Sequence, residues 1–221
     1  VDGLVGSEMC IRDRKNNNYE SFDHFLDFFS SRNRKNLKKE RRKIAEQDLE
    51  IKRFTGNQIS LDVVDDFYSF YVDTHLRRSG HSGYLNKDFF EEITQTIADN
   101  ILIILAYKNG RAVAGSFFFY DQNNLYGRYW GASNDFDALH FECCYYQGID
   151  FCIEKNIKRF DPGVQGEHKI KRGFEPTFTF SSHWIENYDF SLAINDFLLR
   201  EDKYIKDYHQ DASTLLPFKN I

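Results

Sequence analysis

"ILIILAYKNGRAVAGSFFFYDQNNLYGRYWGAS", Ile101–Ser133, breaks with the helical periodicity of the residues before it. Ile101–Tyr107 is a strand-sized apolar run, and Asn109-Gly110 is the dipeptide that closes two-residue hairpins. Arg111–Tyr120 then reads as the returning strand. A second turn at Asp121–Asn124 leads into Leu125–Ser133, so three strands form an antiparallel meander. Asp137–Asn156 follows with Leu139, Cys143, Tyr146, Ile149 and Ile153 at helical spacing, and "IKRFD" (Ile157–Asp161) is a short strand. A strand–helix–strand crossover needs parallel neighbours on a sheet that is otherwise antiparallel. The order dictates a mixed α/β (α+β) class.

Outward from this block the pattern is helical. Phe22, Phe25, Leu26 and Phe29 share one face, and Ser60 stands as an N-cap before a helix carrying Leu61, Val64, Tyr68 and Tyr71. Lys87–Asp99 is a shorter helix. Leu37, Ile44 and Ile51 recur every seven residues, which predicts one helix running from the basic run Arg32–Lys43 to about Phe54. "TFTFSSHWI" alternates as a strand, and Phe190–Tyr208 closes the chain with a last helix. No repeat or linker interrupts residues 15–221, which read as one domain.

Composition narrows the classes. Of the 221 residues 41% are apolar and 17% aromatic, enough for a globular core. The longest apolar run, Ile101–Tyr107, is far too short for a membrane span. A net charge of -5 argues against a general polyanion binder but leaves room for a local basic patch. Val1–Arg14 has acids and arginines where a secretory signal has an apolar stretch. Its run Met9-Cys10-Ile11-Arg12-Asp13 is what the bases of a transposon-end sequencing adapter encode, so residues 1–14 are expected to be a scar that packs against nothing. Cys143, Cys144 and Cys152 sit on one helix, poorly placed to pair, and there is no Cys-x-x-Cys. Reduced thiols without an export signal point to the cytoplasm.

Three clusters carry residues fit for chemistry. "LYGRYWG" ends the third strand of the meander, where ligands gather in open α/β sheets. There Arg128 offers an anion contact, and Gly131 offers an approach to the backbone. "HFECCYYQG" places His140 and Cys144 on one helical face, with Glu142 two residues after His140. That His-x-Glu pair lacks the Pro-Cys-x-x-Cys that a zinc deaminase needs, so no metal is expected. "DPGVQGEHKIKRGFEP", Asp161–Pro176, has glycines that can form an anion-binding nest. It also carries Glu167 or His168 as a general base and Lys169 and Arg172 as anion contacts, and Lys169, Arg172 and Gly173 fit an amphipathic turn ending at a glycine C-cap. The plain alternatives are an aromatic strand face, a packed helix start and a solvated loop. The basic run, with eight cations and one acid in twelve residues, is either a solvated face or a phosphate contact.

The stretches "YGRYWG", "LHFECCYYQGI", "GVQGEHKIKRGFEP" and "SSHWI", with "RNRKNLKKERRK" and "GYLNKDFF", resemble a known family. It is the FemAB-like, GNAT-related N-acyltransferases, labelled peptidoglycan biosynthesis/recognition proteins. The resemblance covers nearly everything after residue 14 and implies a GNAT-like fold, with an acyl donor in the wedge between Leu125–Ser133 and Ile157–Asp161. Members of the family are longer at the N-terminus, so a truncated protein is expected. "RYWGAS" departs from the acetyl-CoA signature of the fold at Ser133, which leaves acyl-CoA and aminoacyl-tRNA both open as donors. The activity implied is transfer of an acyl or aminoacyl group to a small-molecule or peptide amine. Glu167 or His168 would be the base, and Arg128, Lys169 and Arg172 the anion contacts. Glu142 and His140 would shape the acceptor pocket, and Tyr146 would protonate the leaving group. Trp130, Gly131, Gln165 and Gly166 would line the donor side, and Arg32–Lys43 would meet a tRNA or another phosphate-bearing donor. A second reading is a non-catalytic module that recognises an amino-sugar or peptide polymer through Trp130, Trp184 and the tyrosines.

Overall fold

A computed structural model describes residues 4–163 and 166–219, residues 4–11 by backbone alone. In chain order the elements are β1 (Leu4–Lys15), α1 (Phe22–Asp27), α2 (Ser31–Glu46), β2 (Leu49–Thr55), α3 (Leu61–Ser79), α4 (Lys87–Thr96), β3 (Ile101–Lys108), β4 (Arg111–Tyr120) and β5 (Asn124–Ala132). After these come α5 (Leu139–Phe141), a π-helical turn (Glu142–Tyr146), α6 (Gln147–Glu154), β6 (Arg159–Asp161), a 3₁₀ helix (Glu167–Arg172), β7 (Glu175–Trp184) and α7 (Tyr188–Thr214). The chain divides into two compact units, which the single-domain reading did not include. The larger is Lys15–Gly163, and the smaller joins Val1–Arg14 to Val164–Asn220.

In the larger unit the strand order is β2-β3-β4-β5-β6, antiparallel except for the β5–β6 pair. Asn109 and Gly110 take φ of 52° and 73°, the left-handed pair that turns β3 tightly into β4. Every residue from Ile101 to Ala106 is buried, because helices cover both faces of β3. On one face Phe67, Phe70 and Tyr71 of α3 and Phe90 of α4 pack with Ile103, Leu105 and Phe117. Burial of each such side chain stabilises the fold by about 1.5–3 kcal/mol. The alternate residues Leu102, Ile104 and Phe118 are buried too, as are Leu139, Tyr146 and Ile149 on the crossover segment. The mixed, mostly antiparallel sheet expected from the meander and its crossover is therefore present.

One element differs from the sequence reading. The helix after the basic run stops at Glu46, and Asp48 turns the chain at φ 56°. Leu49–Thr55 then pairs antiparallel with β3 along its length. "LEIKRF" does alternate apolar and charged residues, the period of a half-covered edge strand. The exposed N–H and C=O groups of β3 require a neighbour, and that need overrides the seven-residue spacing.

In the smaller unit β1 pairs antiparallel with β7, from Leu4↔Trp184 to Asp13↔Glu175. Arg12, Asp13 and Arg14 are buried there. The expectation that residues 1–14 pack against nothing is corrected by this pairing: a strand-length segment satisfies its backbone groups on the free edge of β7. The same unit holds α7, capped by Asn187, whose side chain accepts from Phe190 N–H at 2.8 Å. His209 of α7 stacks on Phe178 of β7 at 4.3 Å. Among the described residues no helix is long and apolar enough to cross a membrane.

Candidate active site

The crossover helix does not run straight from Leu139 to Glu154. Ala138 precedes it in the left-handed region at φ 63°, costly for a residue with a Cβ, and Glu142–Tyr146 widen into a π turn. Such turns cluster at functional sites. In an ordinary α-helix residues i and i+5 point about 140° apart, but the π turn lets Gln147 reach back to Glu142. Gln147 Nε2 donates to Glu142 Oε1 at 2.7 Å. From β4, the buried Ser116 hydroxyl donates to the Cys143 carbonyl at 3.0 Å and pins the widened turn to the sheet. Ser116→Ala should cost about 1–2 kcal/mol, the usual loss for one buried hydrogen bond, read as a shift in urea midpoint. An unmoved midpoint would mean that the turn holds itself.

Glu142 is only 3% exposed. Arg41 Nη2, on α2, donates to Glu142 Oε1 at 3.0 Å and to Asp150 Oδ2 at 2.8 Å. The guanidinium also lies 4.4 Å from the Phe22 ring centroid. Oε1 therefore has two donors, while Oε2 is buried and takes no hydrogen bond. Burial pushes the Glu142 carboxyl above the usual glutamate range, with Arg41 and Gln147 pulling the other way. Asp150 is raised for the same first reason. Burial works against the Arg41 charge, but the two carboxylates outweigh it and keep the guanidinium protonated. An orphaned, desolvated carboxylate oxygen with raised proton affinity makes Glu142 a candidate for proton transfer.

The other expected residues of the larger unit surround different features. Tyr146 is fully buried and its hydroxyl donates to Glu40. His140 meets Trp130 edge-on at 5.4 Å and Tyr145 at 5.4 Å. Arg128 is exposed on β5, over the Tyr126 ring at 5.9 Å. Gly131 is buried, and a Cβ there would sit 2.1 Å from the Phe70 carbonyl oxygen, so its missing side chain makes room for α3. Cys143 is buried and its thiol is held well up by burial, so it carries no thiolate chemistry. Among the described residues no cluster of His, Cys, Asp and Glu could hold a metal ion.

In the smaller unit, the 3₁₀ helix Glu167–Arg172 is closed by Gly173 at φ 84°, the glycine cap read from the sequence. Glu167 is exposed, whereas Lys169 and Arg172 are buried. Partial desolvation of the ring, together with the cations Arg172, Lys169 and Arg12, holds His168 below the usual imidazole range. Gly166 takes φ 108°, and a Cβ on it would collide with the His168 ring. Gln165 lies outside the described residues. Sequence reasoning missed Arg41, Asp150 and Gln147. Arg41 is one of eight similar cations, and only the i+5 geometry of the π turn shows Gln147 beside Glu142.

The basic run divides in two. Arg34, Lys38, Arg41 and Lys43 pair with Asp27, Asp23, Glu142 with Asp150, and Asp137. Among the described residues no carboxylate pairs with Arg32, Lys35, Lys39 or Arg42, all exposed. At 100° per residue these four fall within roughly 80° of arc, one outward stripe on α2.

An antiparallel meander joined through a crossover helix to a parallel strand is a GNAT-like arrangement of a mixed, mostly antiparallel sheet. The chain belongs to the FemAB-like family of peptidoglycan biosynthesis/recognition proteins, whose model matches residues 10–220. The match begins inside the segment read as an adapter scar. Among solved structures, the chain is similar to L-PGS from Bacillus licheniformis at 12% identity and TM-score 0.58, over 89% of this chain and 67% of that one. It also resembles the C-terminal domain (DUF2156) of a putative lysylphosphatidylglycerol synthetase from Agrobacterium fabrum at 13% and 0.58, over 87% and 65%. FemX is a third, at 12% and 0.56, over 80% and 61%. The chain spans about two thirds of the length of these proteins, 61–67%. At such identities the likeness is one of fold. No curated protein sequence matches the chain.

Proposed function

We propose that this chain catalyses transfer of an aminoacyl group from an activated, phosphate-rich donor to an amine, with Glu142 as the general base. The observation that carries this reading is the buried Glu142 carboxylate, with Oε1 doubly held and Oε2 unpartnered. An acceptor amine arrives as an ammonium and must lose a proton before it can attack. A carboxylate raised by burial takes that proton more readily than a solvated one. The amine nitrogen then bonds to the donor carbonyl carbon. The ester C–O bond breaks, the proton held on Glu142 passes to the departing oxygen, and the freed carboxylate takes the second proton from the nitrogen and releases it to solvent, leaving a neutral amide. His140 and Trp130 form an aromatic wall for the acceptor. In the smaller unit, the proposed role of Lys169 and Arg172 is to hold an anion.

Membership of the FemAB-like family, and a fold shared with FemX and with lysylphosphatidylglycerol synthetases, support aminoacyl transfer in peptidoglycan-related chemistry. One observation favours an aminoacyl-tRNA over acyl-CoA: the outward stripe of Arg32, Lys35, Lys39 and Arg42 suits a phosphate backbone. The reading is tested by incubating the chain with a radiolabelled aminoacyl-tRNA or acyl-CoA and a muropeptide amine. Label should pass to the amine from the tRNA, and label passing only from the CoA would reverse the choice of donor.

The stripe makes its own prediction. Charge reversal of Lys35, Lys39 and Arg42 should lower the slope of log K against log salt for tRNA binding by roughly 2–3, about 0.7–0.9 for each phosphate no longer neutralised. Reversing Lys38, already paired with Asp23, should change it far less. An unchanged slope in the triple variant would return the stripe to a solvated helix face.

A further inference from the structure

Helix α2 touches the π turn through two consecutive residues, and their partners stand four apart on the crossover segment. Glu40 accepts from the Tyr146 hydroxyl, and Arg41 donates to Glu142. We propose that Glu40 and Arg41 are positioning residues, a clamp on the π turn that fixes Glu142 with Oε1 occupied and Oε2 presented to the substrate proton. This rests on the reading of Glu142 as the base.

The geometry supports a clamp over a simple ion pair in three ways. Arg41 is itself held, lying on the Phe22 ring while one nitrogen donates to both Glu142 and Asp150. Phe22 also meets Tyr146 edge-on at 5.7 Å, so the same ring supports both halves of the clamp. The ties from α2 act on a turn that has left α-helical geometry, where side-chain support matters most to the backbone.

The charges facing Glu142 are Arg41 from α2 and Asp150 from α6, with Gln147 as a neutral donor. One guanidinium thus serves two desolvated carboxylates. Without it the pair would hold one proton between them, because two neighbouring buried carboxylates do not both ionise. Arg41 therefore sets the proton affinity of Glu142 as well as its orientation. The basic run then has a division of labour, with its outward stripe open to an anion and Arg41 turned inward to the carboxylate.

The test needs no substrate. The chain is labelled with ¹³C at glutamate carboxyls, and the Glu142 signal, assigned by its loss in Glu142→Gln, is titrated by NMR. Arg41→Gln should raise the midpoint by at least about one pH unit, tenfold in proton affinity. Arg41→Lys keeps the charge and should move it by less than about half of that. Glu40→Ala should leave the midpoint near its wild-type value. It should also speed amide hydrogen exchange at residues 142–147 by about tenfold or more relative to β3 and β4, because it removes the acceptor that ties the Tyr146 hydroxyl to α2. A midpoint that stays put in a folded Arg41→Gln overturns the proposal, and so does one that moves equally in the Lys and Gln variants. If Arg41→Gln does not fold, the Lys and Glu40→Ala variants decide: a large shift in the first or unchanged exchange in the second overturns it. Full aminoacyl transfer by Glu142→Gln would end the reading of Glu142 as base without touching these titrations.

Discussion

Glu142→Gln should lower turnover about 10²–10⁴-fold while KM for the acceptor changes little, the signature of a base removed from the chemical step. The substitution keeps the shape and an oxygen that can accept from Arg41 and Gln147, so the clamp around it survives. Stability should move in the opposite direction from activity. Burial raises the Glu142 carboxyl above its ordinary value, so the folded chain binds that proton more tightly than the unfolded chain. Wild-type stability contributed by this group is thus greatest in acid. It is lost as pH rises from the ordinary glutamate value, about 4.3, through the raised folded one. Glutamine does not titrate, so the melting temperature of the variant relative to wild type should climb across that window. Calorimetry at pH 4 to 8 and single-turnover transfer from aminoacyl-tRNA check the two halves. Near-normal turnover in the variant would remove Glu142 from the reaction.

Gly131→Ala should be the most destabilising small substitution in the larger unit, costing about 3–5 kcal/mol. The added carbon would stand 2.1 Å from the Phe70 carbonyl oxygen, 2.4 Å from its carbon and 2.8 Å from the Phe70 Cβ. The first two are backbone atoms of α3, which cannot turn aside as a side-chain tip can. Helix α3 would have to lift from β5, and Phe67, Phe70 and Tyr71 would lose their seats in the core. Gly110→Ala is the fitting control, with nothing within 4 Å of its added carbon and only its positive φ to strain it. That should cost about 1–2 kcal/mol. Urea midpoints of the two variants give the comparison. If the alanine at 131 left stability intact and weakened donor binding instead, Gly131 would regain the ligand role that its place in "LYGRYWG" suggests.

Much of this architecture is legible along the chain because its signals are local. The Asn109-Gly110 turn, the alternating strands on either side of it, the Ser60 cap and the glycine closing Glu167–Arg172 each act within a few residues. Each therefore survives as a readable pattern. The strand–helix–strand crossover follows from their order alone, and the family follows from motifs that are contiguous in sequence. Other features depended on partners far away. Leu49–Thr55 carries two competing periods, and only the unpaired edge of β3 decides for strand. Eight cations between Arg32 and Lys43 look alike until Glu142 and Asp150, 101 and 109 residues from Arg41, select that one. Gln147 joins Glu142 only because the turn between them widens, and Gly131 is small only because α3 lies on it. Local sequence determines which way a segment prefers to run and where it turns. Desolvation, backbone clearance and the pairing of buried charges arise only when distant segments close on one another, and these decided what Glu142 can do.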